Sequence, residues 1–389
     1  MMTPPSVQEA LPATERIGQE EYVFAVCQQG AEASIKSHCL DKRGGLRLAF
    51  SRPGLLTFKA DSSSLPPRDW QIRQSGYAFG TVQGDQAEDL VTAALALAGN
   101  NWPFIHIYQR DPGLPGVRGF EPGPTELTQA VGEAFADQLQ GTAASIGGIC
   151  PIGSRVMDVI LVEPNRWLIG HHLATRRHEC WPGGVFHVPA PPEMISRAYL
   201  KMAEAVAWSG LDLQPGDQIA EIGSAPGGAC QRLLDIGLRV TGIDFAEMAP
   251  LLIEHDRFRH WRSKSSAVKR RLFAGMRWLA ADANVTPKYT LDAVEDIVTY
   301  PTSGFEGLLL TFKLTNYELA DEMPLFTQRI RGWGFERVEV RQLAYNRREC
   351  CVVAERPSSW KPPSRAASMQ RSAQVNARRR VRKARKRAP

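Results

Sequence analysis

Four charged residues in this 389-residue chain, Lys201, Asp282, Lys313 and Glu349, have the types and placement to do chemistry together. Asp282 follows the apolar run Trp278-Leu-Ala-Ala, Lys313 ends Leu308-Leu-Leu-Thr-Phe, and Glu349 precedes Cys350-Cys-Val-Val-Ala. Lys201 lies on the helical stretch before the first strand of the same region. Open α/β sheets gather ligand-handling groups at their strand ends. Two ammonium groups and two carboxylates can hold a weakly acidic hydroxyl in line with an electrophile. One lysine can take the proton if desolvation and a neighbouring cation lower its pKa. Any one of the four alone reads as a surface ion pair, worth about 0–1 kcal/mol. Their joint placement at element ends sets them apart.

An electrophile site is legible in Glu221-Ile-Gly-Ser-Ala-Pro-Gly-Gly-Ala-Cys230, where a strand runs into a glycine-rich turn and then a helix. Gly223 allows a tight bend and a close backbone approach. Asp244 ends the next strand about twenty residues on, where a carboxylate reaches both ribose hydroxyls. A dinucleotide site uses G-x-G-x-x-G and several amide donors around a pyrophosphate. Pro226 interrupts that pattern and removes a donor. S-adenosylmethionine has no phosphate and loses nothing by this. A glycine-rich turn alone is also an ordinary strand-to-helix connection; the full string with its carboxylate is not. Gly223, Ser224, Ala225, Pro226, Gly227, Gly228 and Asp244 are therefore expected to hold S-adenosylmethionine, with the tetrad serving methyl transfer to a sugar hydroxyl. The sulfonium is already activated, so no metal is expected.

The elements that must position these residues alternate. Strands are expected at Gln218 to Ile222, Arg239 to Ile243, Met276 to Ala280 and Leu308 to Lys313. Helices are expected from Ser196 to Trp208, up to about Leu234, from about Leu291, and over Glu318 to Arg331. A closing hairpin spans Glu336 to Leu343 and Cys350 to Ala354. That rhythm predicts a doubly wound, Rossmann-like α/β sheet. Pro189-Ala-Pro-Pro192 marks the boundary before it.

Residues 22 to 190 read as α+β, with strands at Tyr22 to Cys27, Leu46 to Phe50, Leu55 to Phe58, Phe104 to Tyr108, Val156 to Val162 and Trp167 to His172. Helices are expected from Ala31 to Leu40, from Asp85 (as N-cap) to Ala98, and from Pro124 to Leu139. Within Pro66 to Asp85 only Gly80-Thr-Val-Gln reads as turn and strand. The expected division is 1–20 as a tail, 21–80 and 81–190 as two α+β units, 193–356 as the catalytic domain, and 357–389 as a basic disordered tail.

The net charge of +6 is uneven. From Arg356 to Pro389 there are 12 Lys or Arg and no acid, so the first 355 residues carry a surplus of acids. Such a tail adds salt-dependent, sequence-blind affinity for nucleic acid, or serves only as a solubilising end. Seven cysteines without paired spacing predict reduced thiols in a cytoplasmic protein. No apolar run is long enough for a membrane span, and residues 1–20 lack a signal-peptide pattern. His171, His172, His178 and Cys180 cluster in sequence, but adjacent histidines on a strand point to opposite faces.

Residues from about Tyr22 to Pro357 resemble the RlmM family of 23S ribosomal RNA cytidine 2′-O-ribose methyltransferases, whose catalytic domain is of the FtsJ/RrmJ type. The resemblance rests on Ser196-Arg-Ala-Tyr-Leu-Lys201, Gly223-Ser-Ala-Pro-Gly-Gly228, Asp244 and Trp278-Leu-Ala-Ala-Asp-Ala-Asn-Val-Thr-Pro287. It continues through Phe312-Lys-Leu314 and Arg341-Gln-Leu-Ala-Tyr-Asn-Arg-Arg-Glu349. It implies that Lys201, Asp282, Lys313 and Glu349 are a Lys-Asp-Lys-Glu tetrad, with Lys313 as general base. It also implies donor contacts from Ser196, Ala225 to Gly228, Asp244 and Asp282, and a ferredoxin-like unit and a THUMP RNA-binding domain ahead of the catalytic domain. Where the family has an acidic adenine contact, this chain reads His260-Trp-Arg-Ser-Lys-Ser-Ser-Ala267, and a cation such as Lys264 cannot accept from the adenine amino group. Other readings are a methyltransferase of another substrate and a non-catalytic RNA-binding protein. The first has no need of a lysine base; against the second stand the intact Lys313 and donor turn.

Overall fold

The structure, a computed structural model, describes residues 21–43, 45–61, 64–314 and 317–361. The expected tail 1–20 and the basic segment beyond 361 lie outside them. Two sheets organise the described residues.

The first sheet is built by β1 (Glu21–Cys27), α1 (Glu32–Arg43), β2 (Leu46–Arg52), β3 (Leu55–Ala60), β4 (Ile72–Gln83), α2 (Ala87–Ala98), β5 (Phe104–Gln109), α3 (Glu126–Gln138), β6 (Ser145–Ile146), β7 (Arg155–Glu163) and β8 (Arg166–Leu173). Its eight strands run in the order β2-β3-β1-β4-β8-β7-β5-β6. The sheet is continuous across residues 80 and 81, because β4 spans them and pairs with β1 on one side and β8 on the other. The sequence pattern disclosed only the end of β4. Its first half carries the buried polar residues Arg73 and Gln74, which mask the alternation that marks a half-buried strand. Helices α2 and α3 cover one face through Leu90, Val91, Val131 and Phe135, against Ile105 and Val159. Asp85 does not cap α2: Gln86 holds the cap position and no side chain bonds there. At α3 the capping is reciprocal, Thr125 Oγ1 accepting from Thr128 N at 3.2 Å and Thr128 Oγ1 from Thr125 N at 2.8 Å.

The second sheet follows with α4 (Ala198–Ser209), β9 (Gln218–Ile222), α5 (Gly228–Asp235), β10 (Arg239–Asp244), α6 (Pro250–Ile253), β11 (Phe258–Arg262), β12 (Trp278–Ala281), α7 (Pro287–Val298), β13 (Gly307–Lys313), α8 (Met323–Arg331), β14 (Arg337–Arg341) and β15 (Glu349–Glu355). The order is β11-β10-β9-β12-β13-β15-β14, with β9 to β13 parallel and β15 antiparallel to both neighbours. This is the expected Rossmann-like, doubly wound α/β domain, one apolar core on each face. The helix expected over Glu318 to Arg331 is instead a 3₁₀ turn at Tyr317–Ala320 and α8 from Met323. Pro324 accounts for the break, since proline fits a first helical turn and not an interior. Helix α7 starts earlier than expected, at Pro287, with Thr286 accepting from Tyr289 N. Strand β11 was not legible because it is a polar edge strand, with no residue fully buried.

The segment between β14 and β15 joins the two regions. Gln342 N donates to Trp70 O at 2.8 Å, Gln342 Nε2 to Gln28 Oε1 at 2.7 Å, and Gln28 Nε2 to Asn346 O. Tyr345 Oη donates to Pro122 O at 3.0 Å and Arg347 Nε to Pro115 O at 2.7 Å. No helix among the described residues is long and apolar enough to cross a membrane.

Candidate active site

Lys201, Asp282, Lys313 and Glu349 form a closed ring of alternating charge. Lys201 Nζ lies 2.6 Å from Asp282 Oδ2 and 2.7 Å from Glu349 Oε1. Lys313 Nζ lies 2.7 Å from Asp282 Oδ1 and also contacts Glu349 Oε2. The ring follows from topology. Lys313 and Glu349 are direct partners in the antiparallel β13–β15 ladder. Asp282 leaves β12 between β9 and β13, its N–H bonded to Ile222 O at 3.0 Å. Lys201 comes down from α4. Side-chain exposures of 8–21% leave the ring reachable from one side.

The electrostatics differ from the sequence expectation. Burial would depress the Lys313 ammonium, but Asp282 and Glu349 outweigh it and hold its pKa above the ordinary lysine value. Burial alone would raise the Asp282 carboxyl; Lys201 and Lys313 together pull it below the ordinary value. With the ring closed and no donor bound, Lys313 is an ammonium ion and Asp282 a carboxylate.

The glycine-rich turn abuts this ring. Gly223 has φ 77° and a Cβ there would lie 2.7 Å from Ala283 Cα, the residue after Asp282. Only glycine meets both demands. The peptide between Ala225 and Pro226 is cis. Ser224 Oγ is buried against Met248 Sδ at 3.6 Å. Gly227 and Gly228 open helix α5, and a Cβ at Gly228 would collide with Ser196 Oγ and O. Ser196 Oγ is itself buried and has no hydrogen-bond partner among the described residues. Asp244 is engaged: Oδ2 accepts from Ala225 N at 3.1 Å and Oδ1 from Ala246 N at 2.9 Å. Each oxygen keeps a second lone pair for a ligand hydroxyl. The residues thus fit S-adenosylmethionine: a phosphate-free turn, an oriented carboxylate and an unsatisfied serine hydroxyl.

At the expected adenine end, Lys264 is exposed, and Ser263 N and His260 Nε2 both donate to Asp244 O. Phe245, directly after Asp244, is 67% exposed and offers an aromatic face there.

Sequence reasoning missed Glu204, one helical turn beyond Lys201 on α4. Its buried carboxylate accepts from Ala344 N and Tyr345 N, each at 2.9 Å. Burial raises its pKa to about 7 although both amides work the other way. A lone acid among Ala203, Ala205 and Ala207 was the available signal. Glu221, which opens the donor-turn run, is fully buried at 2.7 Å from Cys230 Sγ, and burial lifts its pKa to about 8. The grouping of His171, His172, His178 and Cys180 does not converge. His171 stacks on Tyr77 at 5.4 Å, whereas His172 bonds Asp158 on the other face of the sheet.

No family model matches the chain. A protein of Halorhodospira halophila named ribosomal RNA large subunit methyltransferase M is 25% identical over 347 residues, covering 86% of this chain and 94% of that protein. The chain is similar to the methyltransferase M proteins over most of its length. The protein so named in Chromohalobacter salexigens is 23% identical and covers 84% of this chain and 95% of its own length. That of Azotobacter vinelandii is 29% identical over 192 residues, 46% of this chain and 53% of its own length. At 86% and 84% of this chain, the two long matches extend over parts of both sheets.

Proposed function

We propose that the protein is an S-adenosylmethionine-dependent RNA ribose 2′-O-methyltransferase acting on a cytidine of 23S ribosomal RNA. The observation that carries this reading is the closed Lys201–Asp282–Lys313–Glu349 ring, in which Asp282 immediately precedes the residue lying against Gly223. S-adenosylmethionine supplies an activated methyl group. Ser196, the 223–228 turn, Asp244 and Asp282 hold it, and Phe245 adds an apolar face. Lys201 and the two carboxylates align the acceptor hydroxyl, and Lys313 receives its proton. A positive charge held near the ring and exclusion of solvent from it would lower the Lys313 pKa toward the neutral form that accepts the proton. Base-nitrogen or carboxylate methylation has no need of such a lysine.

Residues 21–80 serve as a ferredoxin-like unit and 81–190 as a THUMP-like RNA-binding unit, sharing one sheet through β4, with 193–356 catalytic and 357–389 a nonspecific RNA-binding arm. The seven buried cysteines form no disulfide, which suits a cytoplasmic protein. The test is incubation of the full chain with labelled donor and protein-free ribosomal RNA, followed by mapping of the product. The expected label is a 2′-O-methyl group on a cytidine; label on bases or on protein refutes the reading. The engaged Lys313 ammonium favours a second reading, a non-catalytic RNA-binding protein, which the same assay separates by giving bound RNA and no label.

A further inference from the structure

On the face of the first sheet opposite α2 and α3, three polar side chains from three adjacent strands converge. His106 on β5 and Asp158 on β7 are register partners. His172 on β8 stands diagonally from Asp158, pairing with Val156. All three are buried, and one ligand atom from each lies within 4.8 Å of the others. The wholly inaccessible His106 ring meets the backbone of Gly148 and bonds no side chain among the described residues. A buried imidazole so weakly satisfied is costly in an apolar setting.

The outer contacts are those of metal ligands. His172 Nε2 lies 2.8 Å from Glu179 O, leaving Nδ1 turned toward Asp158 at 2.6 Å. Asp158 Oδ1 accepts from Tyr108 Oη at 3.0 Å. A carbonyl behind a histidine and a hydroxyl behind a carboxylate fix the orientation of metal-ligating side chains. The geometry assigns His106, Asp158 and His172 as a structural Zn²⁺ site, which nothing in methyl transfer requires. Two imidazoles and one carboxylate match zinc in donor type. The proton in the 2.6 Å hydrogen bond between His172 Nδ1 and Asp158 leaves to solvent as the ion binds, which frees the Nδ1 lone pair for zinc and releases one proton per zinc. The ion joins β5, β7 and β8 where Gly183 packs on the Tyr108 ring and the chain turns toward the catalytic domain.

The experiment uses the full chain after dialysis against chelator, titrated with Zn²⁺ by calorimetry in buffers of different ionisation enthalpy and with Co²⁺ by visible absorption. Expected are one equivalent per chain, one proton released, tetrahedral Co²⁺ bands without thiolate charge transfer, and a melting temperature raised by Zn²⁺. His106→Gln should weaken binding at least tenfold and remove the thermal gain, with donor affinity unchanged. Should His106→Gln not fold, His106→Phe serves as the packing-preserving variant and the wild-type Co²⁺ spectrum decides the ligand set. Binding as tight in either variant, octahedral Co²⁺ only, thiolate charge transfer, or no saturable binding would overturn the site. None of these outcomes depends on methyltransferase activity.

Discussion

Lys313 and Glu349 stand opposite one another in the antiparallel β13–β15 ladder, so that the last residue of one strand meets the first of the next charge to charge. This pairing closes the ring with Lys201 and Asp282, and it sets the protonation state from which Lys313 starts.

Because the two carboxylates raise the Lys313 pKa, the neutral amine is scarce at pH 7 and grows with pH. Turnover at saturating donor and RNA should therefore climb about tenfold per pH unit from neutral into the alkaline range, as for a base used below its pKa. A pH–rate profile checks this; a flat profile means that proton removal by Lys313 does not limit turnover.

Gly223→Ala should weaken donor binding at least tenfold. The variant combines a positive φ with a Cβ 2.7 Å from backbone, and strain of this kind costs about 1–3 kcal/mol. Calorimetric titration with S-adenosylhomocysteine measures it, and unchanged affinity would remove the turn from the donor site.

Glu204 holds the 344–346 segment by two amide bonds and so positions Glu349 from behind. Glu204→Gln replaces one acceptor oxygen by a donor and should lower kcat about tenfold, with donor KM little changed, and destabilise the fold by about 1–3 kcal/mol. Rescue by Glu204→Asp of stability without kcat would place its effect in geometry.

Glu221 gives a stability signature of known sign. Its folded pKa of about 8 exceeds the ordinary 4.5, so between those values the unfolded chain has lost a proton that the folded chain keeps. Stability should fall as pH rises through that window, by up to about 1.4 kcal/mol per pH unit, and level off above it. Urea unfolding of wild type and Glu221→Gln checks this: the difference between them should follow that slope and become independent of pH below about pH 4.5.

The catalytic domain was the more readable half of the molecule. Buried parallel strands such as β9 and β13 are short apolar runs bounded by turn residues, and their bounds fall within a residue of expectation. Three of the ring residues were legible because Asp282, Lys313 and Glu349 stand at strand ends, whereas Lys201 lies in the first turn of α4. That the four form a closed ring was not legible, because register across β13 and β15 is set by pairing more than thirty residues apart in sequence. The raised Lys313 pKa followed from that unseen pairing. Glu204 and Gln28 escaped notice for the same reason: their partners lie 140 and more residues away. In the first sheet, β4 was hidden by buried polar residues whose bonding is tertiary, and His106 by a neighbour, Asp158, that only strand register supplies.

Methyl transfer to a ribose hydroxyl at this ring is tested by comparing wild type with Lys313→Ala for label transfer to protein-free ribosomal RNA, with donor affinity measured alongside. Expected are ribose 2′-O-methylation by wild type, a loss of about 100-fold or more in the variant, and donor affinity unchanged within about threefold. Turnover retained in Lys313→Ala, or a wild-type product methylated elsewhere than on ribose, would contradict this assignment.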